Sequence, residues 1–397
     1  MLLRTPKRAL LSLALIGLLA GTVSVEASAQ QTRERAGRNK GDDAKQQVLY
    51  PDATRTAPET KNSRKGAGQA EKMIKAYNDQ DWAKARADAD ALIASPDSND
   101  YDKALAAQIA SQAAYSTDDE AAAKAYLKQA IDLNALDNNG HYQAMFMLAQ
   151  LQLQDEQYAE GLATLDKYLA ETKSKKPDDL ALKGQALYQA ERYAEAIEPL
   201  KQAIAASPEP KPQWSQVLMA SYEASNQSGE ALKLAQDMAA KAPNDKTAQM
   251  NLAVVYSQND QPEKAAEILN KLRASGQLTT DKEYRQLYAT FSNMEKHEKD
   301  TIEVINDGLA KGILKPNLEV YQILAQSYYY SEPPQIPQAI DAWQKAAPLD
   351  TTGETYLNLA RVLMQENRPA EAKKAAQSAL DKGVKKPQDA KAIIGSK

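Results

Sequence analysis

Chemistry that needs an imidazole, a thiol or a clustered set of carboxylates has little to work with in this chain. There are two histidines and no cysteine among 397 residues. His141 and His297 stand far apart, and neither has a second histidine three or four positions away, the spacing that puts two ligands on one helix face. Both are expected to be turn or surface residues. Without cysteine there is no disulfide, no thiolate metal site and no thiol nucleophile. A glycine-rich phosphate loop is missing as well. The acidic run Asp118 to Glu120 sits where a helix amino-terminus favours negative charge in any case. The expectation is therefore a protein that is not an enzyme, with no catalytic residue, no cofactor and no metal.

Side chains that bond rather than react are plentiful. Glutamines and asparagines recur through the chain, and three tyrosines, 328 to 330, stand in a row. Three consecutive helix residues cannot face one core. Tyr328 is expected to be buried, with Tyr329 and Tyr330 turned toward a binding face or toward the turn that Pro333, Pro334 and Pro337 lengthen. The net formal charge of −4 and the absence of a basic face argue against nucleic acid as a partner.

The elements that must position these groups follow from self-similarity at about 35 residues. Small residues at Ala85, Ala123, Gly161, Ala196, Ala231, Ala265, Thr301, Ala339 and Ala372 mark nine units. The clearest begins at Pro177, with Leu180, Gly184 and Leu187 on a first helix and Ala196, Leu200 and Ala203 on a second. Small residues let two helix backbones approach, and the bulky ones fill the groove between them. Signals such as Asp260-Gln261-Pro262 and Asn367-Arg368-Pro369 open second helices with a cap or a first-turn proline. Thr301 departs from the small-residue rule. The first two units lack bulky residues at several first-helix positions.

This pattern resembles the tetratricopeptide repeat over residues from about 70 to 384. The resemblance implies an all-α solenoid of nine helical hairpins in a right-handed superhelix, occupying residues 69–397, with a short helix from Pro387 to Ile394 capping the last apolar face. It also implies a concave groove lined by first helices. Transferring the family's groove register here selects Gln150, Gln185, Gln189, Gln216, Asn251, Gln258, Gln286, Gln322, Gln326 and Asn358, with Tyr329 beside them. A carboxamide both donates and accepts, so a spaced row of them can hold the backbone of an extended peptide without demanding one sequence. Glutamine is also simply a good solvent-facing helix former. The clamp by which cochaperones of the family grip a terminal carboxylate is not matched, since Asp178, Ala181 and Gln185 stand where lysine and asparagine would be needed.

Ahead of the repeats, Arg4, Lys7 and Arg8 precede an apolar run from Ala9 to Ala20 and then Ala27-Ser28-Ala29. That run, about a dozen residues, is short for a membrane span and is the pattern of a signal peptide ending at residue 29. A periplasmic location follows as an expectation. Residues 30–68 are polar and aperiodic and read as a disordered linker. The functional expectation is an adaptor or scaffold that binds a protein or extended peptide segment of the cell envelope along the groove, similar in layout to exported repeat proteins accessory to TonB-type energy transduction. The alternative is an assembly factor for outer-membrane biogenesis or polysaccharide secretion.

Overall fold

The computed structural model describes residues 47–396, so the leader and the first part of the polar segment lie outside it. Among the described residues there are nineteen α-helices, one short 3-10 turn and no strand. The chain divides into two compact units, residues 1–227 and 228–397.

The first unit holds α1 (Gly66–Asn78), α2 (Trp82–Ala94), α3 (Asp100–Ser116), α4 (Glu120–Leu133), α5 (Asn138–Gln154), α6 (Tyr158–Thr172), α7 (Pro177–Gln189), α8 (Tyr193–Ala206) and α9 (Pro212–Ala224). In the second are α10 (Ser228–Lys241), α11 (Lys246–Gln258), α12 (Pro262–Ala274), α13 (Asp281–Ser292), α14 (Glu298–Ala310), α15 (Leu318–Tyr330), α16 (Ile336–Ala346), α17 (Glu354–Gln365), α18 (Pro369–Asp381) and α19 (Pro387–Gly395). Within each unit a helix packs on its neighbours in the chain, and first helices such as α1 and α3, or α7 and α9, also touch. This is the architecture of a tetratricopeptide solenoid.

All nine anchors are buried, and apart from Ala231, on α10 at the start of the second unit, each lies on the second helix of a pair. Their smallness is required by distance. A Cβ added to Gly161 would stand 2.6 Å from Leu153 Cδ2, and one added to Gly184 would stand 2.5 Å from Leu200 Cγ. Thr301 is fully buried yet satisfied, because its hydroxyl donates to the His297 carbonyl at 3.0 Å, one turn back on its own helix. The polar exception thus keeps the register.

The turns inside the hairpins share one geometry. Gln80, Asp118, Glu156, Glu191, Asn226, Asp260 and Asn367 all have φ between 53° and 63°. The next amide then reaches back five residues, as Asp81 N–H does to Ala76 O at 2.9 Å and Arg192 N–H to Leu187 O at 2.9 Å. A left-handed residue closing such a bond is the Schellman ending of a helix. Here it is made almost without glycine, by polar residues that reverse the chain and feed the next helix. Successive hairpins are cross-linked at the same interval, by Arg86 to Asp119 (2.8 Å) and Tyr126 to Asp90 (2.6 Å) in the first unit and by Arg285 to Glu319 (3.0 Å) in the second.

Three expectations are corrected. Residues 47–65 contain no helix, but they are not a free linker: Tyr50 is buried and the segment is bonded to α3, α5 and α6. A few well-placed side chains anchor it, which a composition rule cannot see. His141 is buried in the first turn of α5 rather than at the surface. Tyr328 is only half-buried, its hydroxyl accepting from Asn306 at 2.8 Å, while Val320, Leu324, Ala325 and Ser327 form the buried stripe of α15. The closing helix α19 packs on α17 and α18 through buried Ala390 and half-buried Ile393 and Ile394.

Candidate functional site

The amide row lies where a hairpin architecture can present it. Gln150 is on α5, Gln185 and Gln189 on α7, Gln216 on α9, Asn251 and Gln258 on α11, Gln286 on α13, Gln322, Gln326 and Tyr329 on α15, and Asn358 on α17. Except for α9, whose following helix belongs to the other unit, all are first helices of their pairs. Small and apolar residues on the other face of each helix hold it against its partner, as Ala149 and Leu153 do for Gln150 and Leu324 and Ala325 do for Gln326.

Burial divides the row. In the first unit Gln216 is exposed and Gln150 half-buried, whereas Gln185 and Gln189 are each 6% exposed and have little surface to offer a ligand. In the second unit Gln258, Gln326 and Asn358 are exposed, while Asn251, Gln286 and Gln322 are half-buried. Some of these groups already join neighbouring repeats. Gln322 donates to Thr355 Oγ1 at 2.8 Å, and the Tyr329 hydroxyl donates to Gln365 Oε1 at 3.0 Å. Asn358 accepts from Arg361 at 3.1 Å. Tyr329 packs its ring 5.6 Å from Trp343 and 5.0 Å, edge-on, from Tyr330, which is 67% exposed. The open part of the row is thus Gln216 in one unit and Gln258, Gln326 and Asn358 in the other, with exposed Val254 and Tyr330 as apolar surface.

A second cluster of polar and aromatic groups escaped sequence reasoning. It gathers at the start of α5, the end of α6 and the turn before α7, where residues 47–55 lie across the helix ends. Asp179, Tyr168 and Ser174 form its floor, with Tyr168 and Ser174 donating to one carboxylate oxygen at 2.9 and 2.6 Å. Burial raises the Asp179 pKa, which these two bonds oppose, and burial likewise pushes the Tyr168 and Tyr50 hydroxyls up. His141 Nδ1 is buried without a hydrogen-bond partner. Burial, then the charges of Arg55 and Lys167, lower its pKa to about 4, so the ring is neutral at neutral pH. The available signal was local: Asn138-Asn139 opening a helix beside tyrosines.

Among the described residues no three His, Cys, Asp or Glu side chains are grouped to hold a metal ion, and no helix is long and apolar enough to cross a membrane. A cleft of about 530 Å³ in the second unit is lined by Asn306, Leu309, Lys315, Tyr321, Leu324 and Tyr328, with others, and Lys345 pairs with Asp341 at its edge at 2.7 Å.

Family models match three stretches: a tetratricopeptide repeat-like domain at residues 56–224, and tetratricopeptide repeats at residues 222–290 and 353–381. No curated protein matches the sequence. Similar solved structures include a tetratricopeptide repeat protein from Parabacteroides merdae, 14% identical over 64% of this chain and 96% of that one with a TM-score of 0.41. The C-terminal part of a TPR repeat-containing protein from Cytophaga hutchinsonii is 14% identical over 71% and 96%, TM-score 0.41. YrrB, described as a TPR protein with an unusual peptide-binding site, is 20% identical over 42% and 84%, TM-score 0.36.

Proposed function

From a scaffold of tetratricopeptide-type hairpins, repeats that generally serve protein–protein interaction rather than catalysis, we propose that this chain is a non-enzymatic adaptor holding a protein partner or an extended peptide on the first-helix faces of its units. The observation that carries the reading is the exposed subset of the amide row, Gln216 in the first unit and Gln258, Gln326 and Asn358 in the second, set on helices whose opposite faces are packed. Each amide presents a donor and an acceptor at a fixed place, and Val254 and Tyr330 add apolar contact area. The compartment belongs to the same proposal: the basic and apolar leader with Ala27-Ser28-Ala29 supports export to the periplasm and a partner in the cell envelope, and the layout of leader, polar segment and repeat array, similar to that of exported repeat proteins accessory to TonB-type systems, supports such an accessory role.

A neutral hydrogen bond contributes about 0.5–1.5 kcal/mol net, so a single Gln→Ala change weakens binding by roughly tenfold at most. The test is therefore a combined variant, Gln216→Ala with Gln258→Ala, Gln326→Ala and Asn358→Ala, in a chain carrying a photo-crosslinking residue at Tyr330. Loss of the cross-linked partner with unchanged helicity supports the reading, whereas undiminished capture places the interaction elsewhere. Amino-terminal sequencing of the cellular protein tests the compartment, with Gln30 as the expected first residue.

A further inference from the structure

The cluster at the ends of α5 and α6 is built like a receptor for an extended chain, and the protein's own residues 47–55 occupy it. Two adjacent asparagines at the start of α5 do the reading. Asn139 accepts from Leu49 N–H through Oδ1 at 3.0 Å and donates through Nδ2 to Gln47 O at 2.9 Å, clamping one residue's amide and the carbonyl two positions before it. Asn138 likewise accepts from Arg55 Nη1 at 2.8 Å and donates to Arg55 O at 3.0 Å. Glu171 O, at the end of α6, takes Thr54 N–H at 2.8 Å. Apart from the Arg55 Nη1 bond, these hold backbone groups of Gln47, Leu49, Thr54 and Arg55 and do not depend on side-chain identity.

Two side chains supply the selectivity. Tyr50 enters a slot where its ring meets Tyr142 edge-on at 5.2 Å and Tyr168 at 6.0 Å, with Lys176 Nζ 5.2 Å from its centroid, and it is 8% exposed. Arg55 enters a nest of oxygens, donating to Asn134 Oδ1 (2.7 Å), Asn134 O (2.9 Å) and Leu136 O (2.9 Å) as well as to Asn138. All four acceptors are neutral. Leu49 and Ala53 are half-buried, and the remainder of the segment, including Val48 at 66% exposure, faces outward. Residues 56–60 make no hydrogen bond among the described residues, and a second attachment follows where Lys61 O accepts from Asn99 at 2.8 Å and Asn62 and Ser63 donate to Asp102. The bound stretch is thus a short ligand on a tether, and its departure would break no helical bond.

We propose that this edge is a peptide-binding site, separate from the amide faces, which accepts in trans an extended segment of a partner protein carrying an aromatic residue and, five positions later, an arginine. The chain's own segment is the resident competitor. Its tether gives it a high local concentration, so a partner gains access when that segment is displaced.

The experiment uses the full chain and a labelled synthetic peptide of residues 47–56. In the variant carrying Tyr50→Ala and Arg55→Ala the site is vacated, and the peptide should bind it at least tenfold more tightly than it binds the native chain. Adding Asn139→Ala to the variant, or replacing the peptide's tyrosine by alanine, should remove that binding. A vacated variant with native helicity that fails to bind, or equal binding to both chains, overturns the proposal. A second arm needs no variant: excess peptide should accelerate hydrogen exchange at the Leu49 and Thr54 amides of the native chain while the interiors of α5 and α6 stay protected. Exchange of those two amides only through unfolding of the helices overturns it equally. So does self-association of the native chain that Tyr50→Ala abolishes, which would give the site to a second copy.

Discussion

Gly184 offers the sharpest test of why the anchors and their partners are small. It lies inside α7, where alanine is favoured over glycine by about 1 kcal/mol through backbone entropy alone. Against that gain stands Leu200 of α8, fully buried, whose Cγ would be 2.5 Å from the new methyl, with Ala196 O at 3.2 Å on the other side. Cγ can move only by changing χ1 of a fully buried side chain, so either Leu200 leaves its rotamer or the two helices separate. Overpacking of this kind costs about 1–3 kcal/mol, and the expected net effect of Gly184→Ala is destabilisation by up to about 2 kcal/mol. Gly68 in α1, with no heavy atom within 4 Å of its added Cβ, is the control, and Gly68→Ala should stabilise by about 0.5–1 kcal/mol. The cycle with Leu200→Ala is decisive. That change alone leaves a cavity worth about 2–5 kcal/mol, and in its background Gly184→Ala should reverse sign, because the clash is gone and the methyl fills part of the space. Native-state hydrogen exchange at the amides of α7 and α8 reads the local opening energy. If Gly184→Ala stabilises the native chain as Gly68→Ala does, or keeps one sign in both backgrounds, close helix approach is not what the glycine serves.

Three further outcomes follow from particular residues. Burial alone would raise the Asp350 pKa, but donation by Thr352 (side chain and amide) and by the Thr355 amide more than offsets this and holds it at about 2. Its contribution, about 2 kcal/mol, is present above the ordinary carboxylate value and lost as pH falls through about 2, so Asp350→Asn should cost that much at pH 7 and little at pH 2 in urea melts. His141 behaves oppositely in origin: between pH 6.5 and about 4 the unfolded chain takes up a proton that the folded one refuses, so stability falls by up to about 3 kcal/mol as pH drops across that window, and His141→Gln should flatten the slope. Glu191→Gly, at a left-handed turn residue with φ 63°, should raise the thermal midpoint by relieving about 1 kcal/mol of backbone strain.

The hairpins were legible because their physics is periodic. A small residue recurring at the closest approach of two helices marked every second helix, and even Thr301 obeyed the register once its hydroxyl found the His297 carbonyl. The amide row was legible only as a set of positions. Whether Gln185 or Gln326 meets solvent depends on how far neighbouring helices cover each first helix, and that coverage left Gln185 6% exposed and Gln326 open. The segment before α1 was not legible. Tyr50 and Arg55 have no periodicity, and the groups that hold them, Asn134, Asn138, Asn139, Tyr142 and Tyr168, lie in other repeats, so nothing near them in sequence announces the contact.

Nearly all side-chain links among the described residues join positions a few residues apart or about one repeat apart, which lets hairpins form in the order in which they emerge. The segment at residues 47–55 does not share that locality. Leu49 is bonded to Asn139, 90 positions on, and Thr54 to Glu171, 117 positions on. Leu49 and Arg55 therefore find their acceptors only once the start of α5 has emerged, and Thr54 only once the end of α6 has, so the segment stays unpaired while α1 to α4 assemble. Closing so long a loop is slow and adds non-local contacts to a fold otherwise dominated by local ones. Once closed, it lies across helices of the second and third hairpins, so that opening from this end of the array starts with release of this segment and only then reaches the helices beneath it.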